Sequence, residues 1–273
     1  MKDRAGRTIR VLRMGRSTRE RLNGAPREAG EVHSAYARTL NLLWHDGRLL
    51  TLHGPGPLLA PFAAAVDHLP GELGPGMRAW REGEKIRLGP FLLGWEQGAA
   101  VETRLRPEGD GARLLLAALA SRPAPPAAAG LFSPGGRTAQ RRLDHGIRER
   151  DARAFVEGAA GLIGLGEGLT PAGDDCLVGA LAVLSRFAPA WLAEQPVIRT
   201  AITAGSEART TTVAREFLLH ALDGSFSEPV VHLMQARSAA EAVERIEDLG
   251  RMGASSGADT LWGMRLAMEA LSQ

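Results

Sequence analysis

The spacing of hydrophobic and polar residues differs between the two halves of this chain. From residue 31 to residue 106, short apolar segments separated by Gly, Pro or Asp are typical of β-strands. The Asp46-Gly47 pair between two such segments indicates a tight hairpin turn. We expect strands in VHSAYARTLNLLW, LLTLH, KIRLG, FLLGWE and AAVETRLR, and a loop with one short helix in GPGPLLAPFAAAVDHLPGELGPGM. This spacing predicts a small barrel or sandwich.

The second half of the chain shows the hydrophobic periodicity of α-helices. After Arg113, Ala- and Leu-rich segments carry apolar residues at helical spacing and end at Gly or Ser-Glu-Pro breaks. Between the halves, RPAPPAAAGLFSPGG predicts a linker, because proline fixes its own backbone and lacks an amide donor. We therefore predict an α+β protein with a β-rich N-terminal part and an all-helical C-terminal domain. Its expected segments are a basic N-terminal segment (1–30), a β-rich domain (31–122), a Pro/Gly-rich linker (123–136) and a helical domain (137–273).

Composition narrows the class of protein. The chain has 273 residues, 44% of them hydrophobic, so it can bury one large core or two smaller ones. A net charge of +2, with no interleaving of basic and aromatic residues, argues against nucleic-acid binding. No apolar run reaches the roughly 20 residues of a membrane helix, and the basic N-terminus lacks the apolar core of a signal peptide. With a single cysteine, Cys176, we expect a cytoplasmic protein without a membrane partner, whose N-terminus is frayed or forms an edge strand.

A short pattern occurs twice in the helical half. Residues 173–179 and 257–263 both read G-x-D-x-L-x-G, so that Asp175 matches Asp259. Each copy follows a stretch rich in Gly, Ser or Thr and leads into an apolar helix. We predict that the two copies lie close together at the starts of two packed helices related by approximate symmetry, with their leucines and closing glycines in the helix packing.

Such loop-to-helix junctions bind anions or take capping carboxylates. The first amides of a helix have no internal partners and carry partial positive charge, and glycines let backbone approach a ligand. We expect Thr170, followed by Pro171, to cap the first helix and Ser255 or Ser256 to cap the second. Both a structural and a functional role explain the aspartates, although adjacent Asp174 and Asp175 repel each other unless a metal, an arginine or a proton intervenes.

Most familiar catalytic motifs are absent from the sequence. The glycines of GLGEG lack the G-x-G-x-x-G spacing, and there is no P-loop, H-E-x-x-H or C-x-x-C. The G-x-S-x-G match at 253–257 follows a predicted helix, whereas the nucleophile elbow of a hydrolase follows a strand. These features argue against nucleotide binding, zinc hydrolysis and a serine-hydrolase mechanism.

Several motifs together resemble a known family. They are G-x-G-x-G-L-T-P-x-G-D-D-x-L-x-G at 164–179, a Thr-rich helix start followed by a turn at 210–224, S-S-G-x-D-x-L-x-G at 255–263 and V-H-S-x-Y-x-R-x-L-N-L at 32–42. The chain resembles a bacterial family long described as a domain of unknown function, one member of which is a subunit associated with oxamate carbamoyltransferase in anaerobic allantoin degradation. The resemblance implies carbamoyl or carboxyl transfer and other enzyme subunits as partners.

The candidate site combines these motifs around a small anionic metabolite. Asp174, Asp175 and Asp259 are the candidate catalytic residues, which would orient an amine or bind a divalent ion. The all-oxygen pair Asp174 and Asp175 favours Mg²⁺ or Mn²⁺. The candidate substrate-binding residues are Gly164, Gly166, Gly168, Thr170, Gly173, Ser255, Ser256, Gly257, His33, Asn41 and Thr211.

Other interpretations stay open beside this one. We expect the site in a cleft between the two parts, with His33 or Asn41 within reach of the aspartate loop. A non-catalytic structural or regulatory partner of a metabolic enzyme is the alternative, in which His33 is a hydrogen-bonded strand residue. We further expect Arg215 and Glu216 to form a solvated pair, His220 to be packed, and Cys176 to be a buried thiol whose pKa is raised by apolar and negative surroundings.

Overall fold

The computed structural model describes residues 7–24, 27–107, 111–121 and 127–273. The chain divides into two compact units, Met1–Thr103 and Arg104–Gln273. The first unit is a β-barrel and the second is helical, which confirms the predicted α+β class and its order.

The first unit contains a closed barrel of eight strands, together with a short ninth strand and one described helix. Its elements are β1 (Arg7–Gly15), α1 (Arg16–Gly24), β2 (Glu28–Tyr36), β3 (Thr39–Trp44), β4 (Leu49–His53), β5 (Ala63–Val66), β6 (Arg78–Glu82), β7 (Lys85–Leu88), β8 (Phe91–Gly94) and β9 (Ala99–Val101). The strand order is β5-β4-β3-β2-β6-β7-β8-β1, and pairing of β1 with β5 closes the ring. Closure leaves the barrel without the two free edges of an open sheet.

Strand β1 joins three neighbours along its length. Its first half pairs with β8 in parallel, and its second half pairs with β5 on one side and β9 on the other. The expectation of a frayed or edge-strand N-terminus is therefore wrong for residues 7–15, because apolar Ile9, Val11 and Met14 are buried in the barrel core. Residues 1–6 of the predicted basic segment lie outside the described residues.

Strand β5 corrects a second expectation. The Pro/Gly-rich stretch around Ala63–Val66 was predicted to be a loop with a short helix, yet Ala63–Val66 is a barrel strand. Ala64 and Val66 point into the barrel core, and this run carries neither alternation nor β-branched residues before Val66. The hairpin at Asp46-Gly47 is confirmed: β3 and β4 pair antiparallel across it, and Gly47 has a φ of 75°.

Helices make up the second unit. They are α2 (Ala112–Ser121), α3 (Pro134–Arg148), α4 (Ala152–Leu162), α5 (Ala172–Phe187), α6 (Pro189–Ala193), α7 (Pro196–Arg209), α8 (Thr212–Leu222), α9 (Glu228–Met234), α10 (Ala239–Gly250) and α11 (Ser256–Leu271), with a 3-10 turn at Ala129–Phe132. The first long segment, TAQRRLDHGIRERDARAFVEGAAGLIG, forms two helices because Arg150 has a φ of 56° and Asp151 caps α4. None of the described helices is long and apolar enough to cross a bilayer.

The predicted linker lies within the second compact unit, after helix α2. Residues 122–126 are outside the described residues, whereas Ala129–Phe132 turns and Ser133 then caps α3 through the amide of Gly136. Leu131 is fully buried in the helical core. The second half of this segment is therefore an ordered part of the helical unit.

Candidate functional site

The two copies of the repeated pattern meet where helices α5 and α11 cross. A Cβ atom on Gly179 would lie 2.0 Å from the carbonyl oxygen of Thr260, and one on Gly263 would lie 1.8 Å from that of Cys176. Gly179 and Gly263 are equivalent in the pattern, as are Cys176 and Thr260. These reciprocal contacts define an approximate two-fold relation between the helix starts, as predicted from the sequence.

The same relation extends to the helices that precede the two copies. A Cβ atom on Gly173 would lie 2.0 Å from the carbonyl oxygen of Leu162, and one on Gly257 would lie 1.8 Å from that of Leu249. Leu162 ends α4, and Leu249 lies in the last turn of α10. The pattern therefore requires glycine twice per copy because neighbouring backbone occupies the space of a side chain.

The first loop is richer in glycine and stands open to solvent. Gly164, Gly166 and Gly168 have φ values of 76°, 116° and 93°, which side-chain-bearing residues rarely adopt. The amides of residues 166–169 donate no hydrogen bond to any described residue, and these four residues are exposed. This loop can present backbone donors to an anion.

Asp174 is bound within the protein itself. Its carboxylate is 1% exposed and accepts a 2.6 Å hydrogen bond from Thr210 Oγ1 and two 3.2 Å contacts from the Gly164 amide. Burial raises the pKa of Asp174 to about 6, opposed by these hydrogen bonds and by the charge of Arg209. Asp174 thus ties the glycine loop to the junction between α7 and α8.

Asp175 lies in a different environment from its neighbour. Burial raises the pKa of Asp175 well above its usual range, opposed by hydrogen bonds with Ser256 and Thr170, and Asp259 and Asp174 raise it further. The hydroxyls of Thr170 and Ser256 are 2.6 Å apart. Oδ2 of Asp175 is buried and has no hydrogen-bond partner among the described residues. Asp175 therefore joins the two helix starts while keeping one oxygen unused.

The predicted caps differ from those observed. Pro171 occupies the N-cap position of α5, and its ring has no atom that could accept a capping bond. Thr170, one residue earlier, is engaged with Ser256 and Asp175 across the crossing. Ser255 is the N-cap residue of α11 and also makes no side-chain capping bond. Ser256 is the first residue of α11, and its hydroxyl lies beside that of Thr170. The expected capping by Thr170 and by Ser255 or Ser256 is therefore wrong.

Asp259 completes the cluster from the second helix. It is fully buried, and its Oδ1 accepts a 2.7 Å hydrogen bond from the amide of Ala128. Its Oδ2 has no partner among the described residues. The equivalent aspartates of the two copies therefore each keep one buried, unpaired oxygen.

Cys176 lies beneath the carboxyl cluster. It is fully buried as a free thiol, and burial together with the charges of Asp259 and Asp175 raises its pKa. This confirms the expectation of an inert thiol, since a nucleophilic cysteine needs its thiolate form.

The neighbouring helix α8 confirms the expectations for Thr211 as a cap and for His220, and corrects the one for Arg215 and Glu216. Thr211 caps α8 by accepting from the amide of Ala214, and its hydroxyl also donates to the carbonyl of Leu169 in the glycine loop. His220 is packed as expected, with Nε2 3.4 Å from Oε1 of Glu216. The solvated pair predicted for Arg215 and Glu216 is wrong, since Glu216 is 1% exposed and lies beside His220.

His33 and Asn41 belong to the barrel unit. They share a neighbour: Nδ1 of His33 is 3.2 Å from Ser34 Oγ, which accepts a 2.9 Å hydrogen bond from Nδ2 of Asn41. Asp174, Asp175 and Asp259 belong to the helical unit. The predicted approach of the two groups stays a prediction.

No metal-binding set is apparent in the described ranges. No group of three or more His, Cys, Asp or Glu side chains there has an arrangement that could hold a metal ion. Asp174 already uses both oxygens within the protein, which leaves Asp175 and Asp259 as the carboxyls with an available oxygen. The described residues therefore do not supply the set of ligands expected for Mg²⁺ or Mn²⁺.

Two contacts of the site were not predicted from the sequence: the hydrogen bond from the amide of Ala128 to Asp259 and that from Thr210 to Asp174. Ala128 contributes only a backbone amide, so no side-chain signal exists for it. Thr210 has a weak signal, since it opens a Thr-rich helix start, but its partner Asp174 is 36 positions away. Both contacts arise from the tertiary fold.

Together these features define a class: a two-unit protein whose barrel is followed by a helical unit with paired Gly-Asp helix starts. Comparison with known families specifies the class. The chain belongs to the family of the oxamate carbamoyltransferase subunit AllH, whose family model matches residues 162–268, while the model of the AllH family N-terminal domain matches residues 10–104. No solved structure matches the chain.

Proposed function

We propose that this protein is a carbamoyltransferase subunit whose helical unit binds a small, anionic, amide-bearing metabolite where α5 and α11 cross. One observation carries the proposal: Asp175 and Asp259 each hold a buried oxygen without a partner at equivalent positions of the two helix starts. Leaving such an oxygen unpaired costs about 1–3 kcal/mol, so a ligand that satisfies it gains affinity.

An amide group complements this pair of carboxyls. Its NH₂ donates two hydrogen bonds to carboxylate oxygens, and its carbonyl accepts one from a protonated carboxyl. The raised pKa of Asp175 favours a proton on that residue, so Asp175 can donate a hydrogen bond to the amide carbonyl. Carbamoyl groups and oxamate both carry this amide.

The anionic end of the metabolite has a separate partner. The exposed amides of residues 166–169 and the N-terminus of α5 supply donors and partial positive charge for a carboxylate or phosphate. Asp174 is a positioning residue, because its bonds to Thr210 and Gly164 hold this loop in place. Thr170 and Ser256 hold Asp175.

The family description supports the wider setting of the proposal. A carbamoyltransferase subunit implies other enzyme subunits as partners, and we propose a place in allantoin degradation, as the family resemblance implies. The single cysteine, held as a free buried thiol, suits a reducing compartment, and we propose the cytoplasm.

A non-catalytic partner is the second candidate function. Asp174 spends both oxygens on the protein, and four glycines of the two copies serve close backbone packing. These contacts favour a rigid scaffold that stabilises or regulates another subunit.

Calorimetric titration separates the two candidates. Wild type, Asp175→Asn, Asp259→Asn and Glu207→Gln are each titrated with oxamate and with carbamoyl phosphate. Glu207 is exposed on α7 and serves as the matched control. We expect the two site variants to bind about tenfold more weakly or worse, corresponding to one lost hydrogen bond, while the control stays unchanged.

The opposite result favours the scaffold. If neither compound binds the wild type, or if both site variants bind as the wild type does, the amide-binding proposal is wrong. Circular dichroism of each variant shows whether the helical fold is retained.

A further inference from the structure

A chain of polar side chains crosses three strands of the barrel. Ser34 on β2, Asn41 on β3 and Thr51 on β4 are cross-strand neighbours in the register of the sheet. Thr51 Oγ1 lies 2.7 Å from Asn41 Oδ1, and Asn41 Nδ2 lies 2.9 Å from Ser34 Oγ. Asn41 is 3% exposed and Thr51 is 8% exposed, so this polar row lies at buried positions that apolar residues would fill without needing partners.

The row ends at His33, whose side chain is redirected by an irregularity in strand β2. Val32 pairs with Leu42, and Ser34 pairs with Asn41. Strand β2 therefore has one more residue than β3 between these two pairs, and this extra residue, His33, forms a β-bulge. Bulges redirect a side chain and recur beside binding sites. The pairing of β2 with β6 runs only from Glu28 to Glu31, so no described strand pairs with β2 on that side beyond the bulge.

Donor and acceptor chemistry gives the row a direction. Oδ1 of Asn41 only accepts, so Thr51 donates to it, and Nδ2 of Asn41 only donates, so Ser34 accepts from it. The remaining hydrogen of Ser34 is free to donate to Nδ1 of His33, 3.2 Å away. A ring that accepts at Nδ1 carries its own hydrogen on Nε2.

We propose that the barrel holds a second ligand site, in which Nε2–H of His33 donates to an oxygen of a small carboxylate or phosphate. Ser34, Asn41 and Thr51 are positioning residues that fix this tautomer. The half-buried ring at the bulge presents one oriented donor, and a carboxylate or phosphate oxygen is the acceptor that such a donor binds best. The site lies wholly within the barrel unit and does not depend on the carboxyl pair of the helical unit.

Nitrogen-detected histidine NMR on the full chain tests the tautomer. Long-range proton–nitrogen correlations distinguish a ring with its hydrogen on Nε2 from one with it on Nδ1. We expect His33, assigned by His33→Ala, to carry its hydrogen on Nε2 in the wild type and to show a mixture of tautomers in Ser34→Ala and Asn41→Leu. His45, exposed after β3, is the matched control whose signals stay unchanged in these variants. A wild-type ring with its hydrogen on Nδ1 overturns the proposal.

Titration with acetate and inorganic phosphate tests the ligand. We expect the His33 signals of the wild type to shift on addition of either anion, with about tenfold weaker binding in Ser34→Ala, as expected for a donor that has lost its orientation. The titration is repeated in Asp175→Asn, where the shift should persist. The proposal of a barrel site is wrong if the His33 signals do not shift in the wild type, or if the shift is lost in Asp175→Asn. Neither result contradicts the amide-binding proposal for the helical unit.

Discussion

The two copies of the G-x-D-x-L-x-G pattern share a backbone arrangement but differ in their loops. Leu165 accepts from the amide of Gly173 in the first copy, and Met252 accepts from that of Gly257 in the second. Eight positions separate the first pair and five separate the second. The first loop is therefore three residues longer, and it exposes residues 166–169 where the second loop exposes Gly253 and Ala254.

A second difference lies in the acidic residues. Asp174 of the first copy corresponds to Ala258 of the second, so only the first copy ties its loop to a neighbouring helix start through Thr210. The shared Asp175 and Asp259 keep their unpaired oxygens. Close packing of the helices is therefore common to both copies, whereas a carboxylate that fixes the preceding loop is present only in the first copy.

The largest expected effect comes from breaking the shared crossing. Gly263→Ala and Gly179→Ala each place a methyl group at about 2 Å from a backbone carbonyl, so we expect each to cost about 3 kcal/mol or more in unfolding free energy. Urea denaturation followed by circular dichroism measures this loss. Gly135→Ala in α3, where nothing lies within 4 Å, is the control and should leave stability unchanged or raised. Unequal losses at the two sites would contradict the two-fold relation.

The acidic difference between the copies predicts a pH dependence. The pKa of Asp174 is about 6 in the folded protein against an ordinary 3.8, so the folded state binds more protons between these values. The unfolding free energy of the wild type therefore falls as the pH rises through this window, by up to about 3 kcal/mol relative to Asp174→Asn. Denaturation of both proteins from pH 4 to pH 7 measures the difference. Parallel pH profiles would show that Asp174 titrates normally.

The loops themselves predict a smaller effect. Gly168→Ala and Gly253→Ala place a side chain at φ values of 93° and 65°, and each should cost about 1–2 kcal/mol in unfolding free energy. Only Gly168→Ala should also weaken binding of oxamate, because the proposed anion site uses the amides of the first loop. Thermal unfolding and titration of both variants check this, and equal binding losses would remove the functional distinction between the loops.

The smallest expected effect concerns the helix start beside the first loop. Thr211→Ala removes the cap of α8 and the hydrogen bond to Leu169, and should cost about 1 kcal/mol in unfolding free energy. Thr211→Ser keeps a hydroxyl and should retain most of that stability. Urea denaturation of both variants makes the comparison, and equal losses would show that the hydroxyl is not what stabilises the start of α8.

The sequence predicted the paired helix starts because repetition marks equivalent environments. Gly179 and Gly263 recur at the same place in each copy, and a backbone contact that excludes a side chain is what such repetition indicates. The β-hairpin at Gly47 was equally accessible, since Asp-Gly has a strong local turn preference.

Other features depend on partners that are remote in sequence. Asp174 and Asp175 are neighbours with the same side chain, and their different roles come from Thr210 and from Ser256. Strand β5 is set by its barrel neighbours rather than by its alanine-rich composition, since tertiary pairing overrides weak local preference. His33 was recognisable as a polar strand residue, but the bulge that redirects it appears only in the pairing register.

The position of Cys176 makes its reaction with thiol reagents a measure of local opening where α5 and α11 cross. As the single thiol of the chain, fully buried where α5 meets α11, it can react with a thiol reagent only after these helices separate. The rate of labelling therefore measures how often the crossing opens. A metabolite or a partner subunit that binds there should slow the labelling, so one mass-spectrometric time course follows occupancy without any engineered probe.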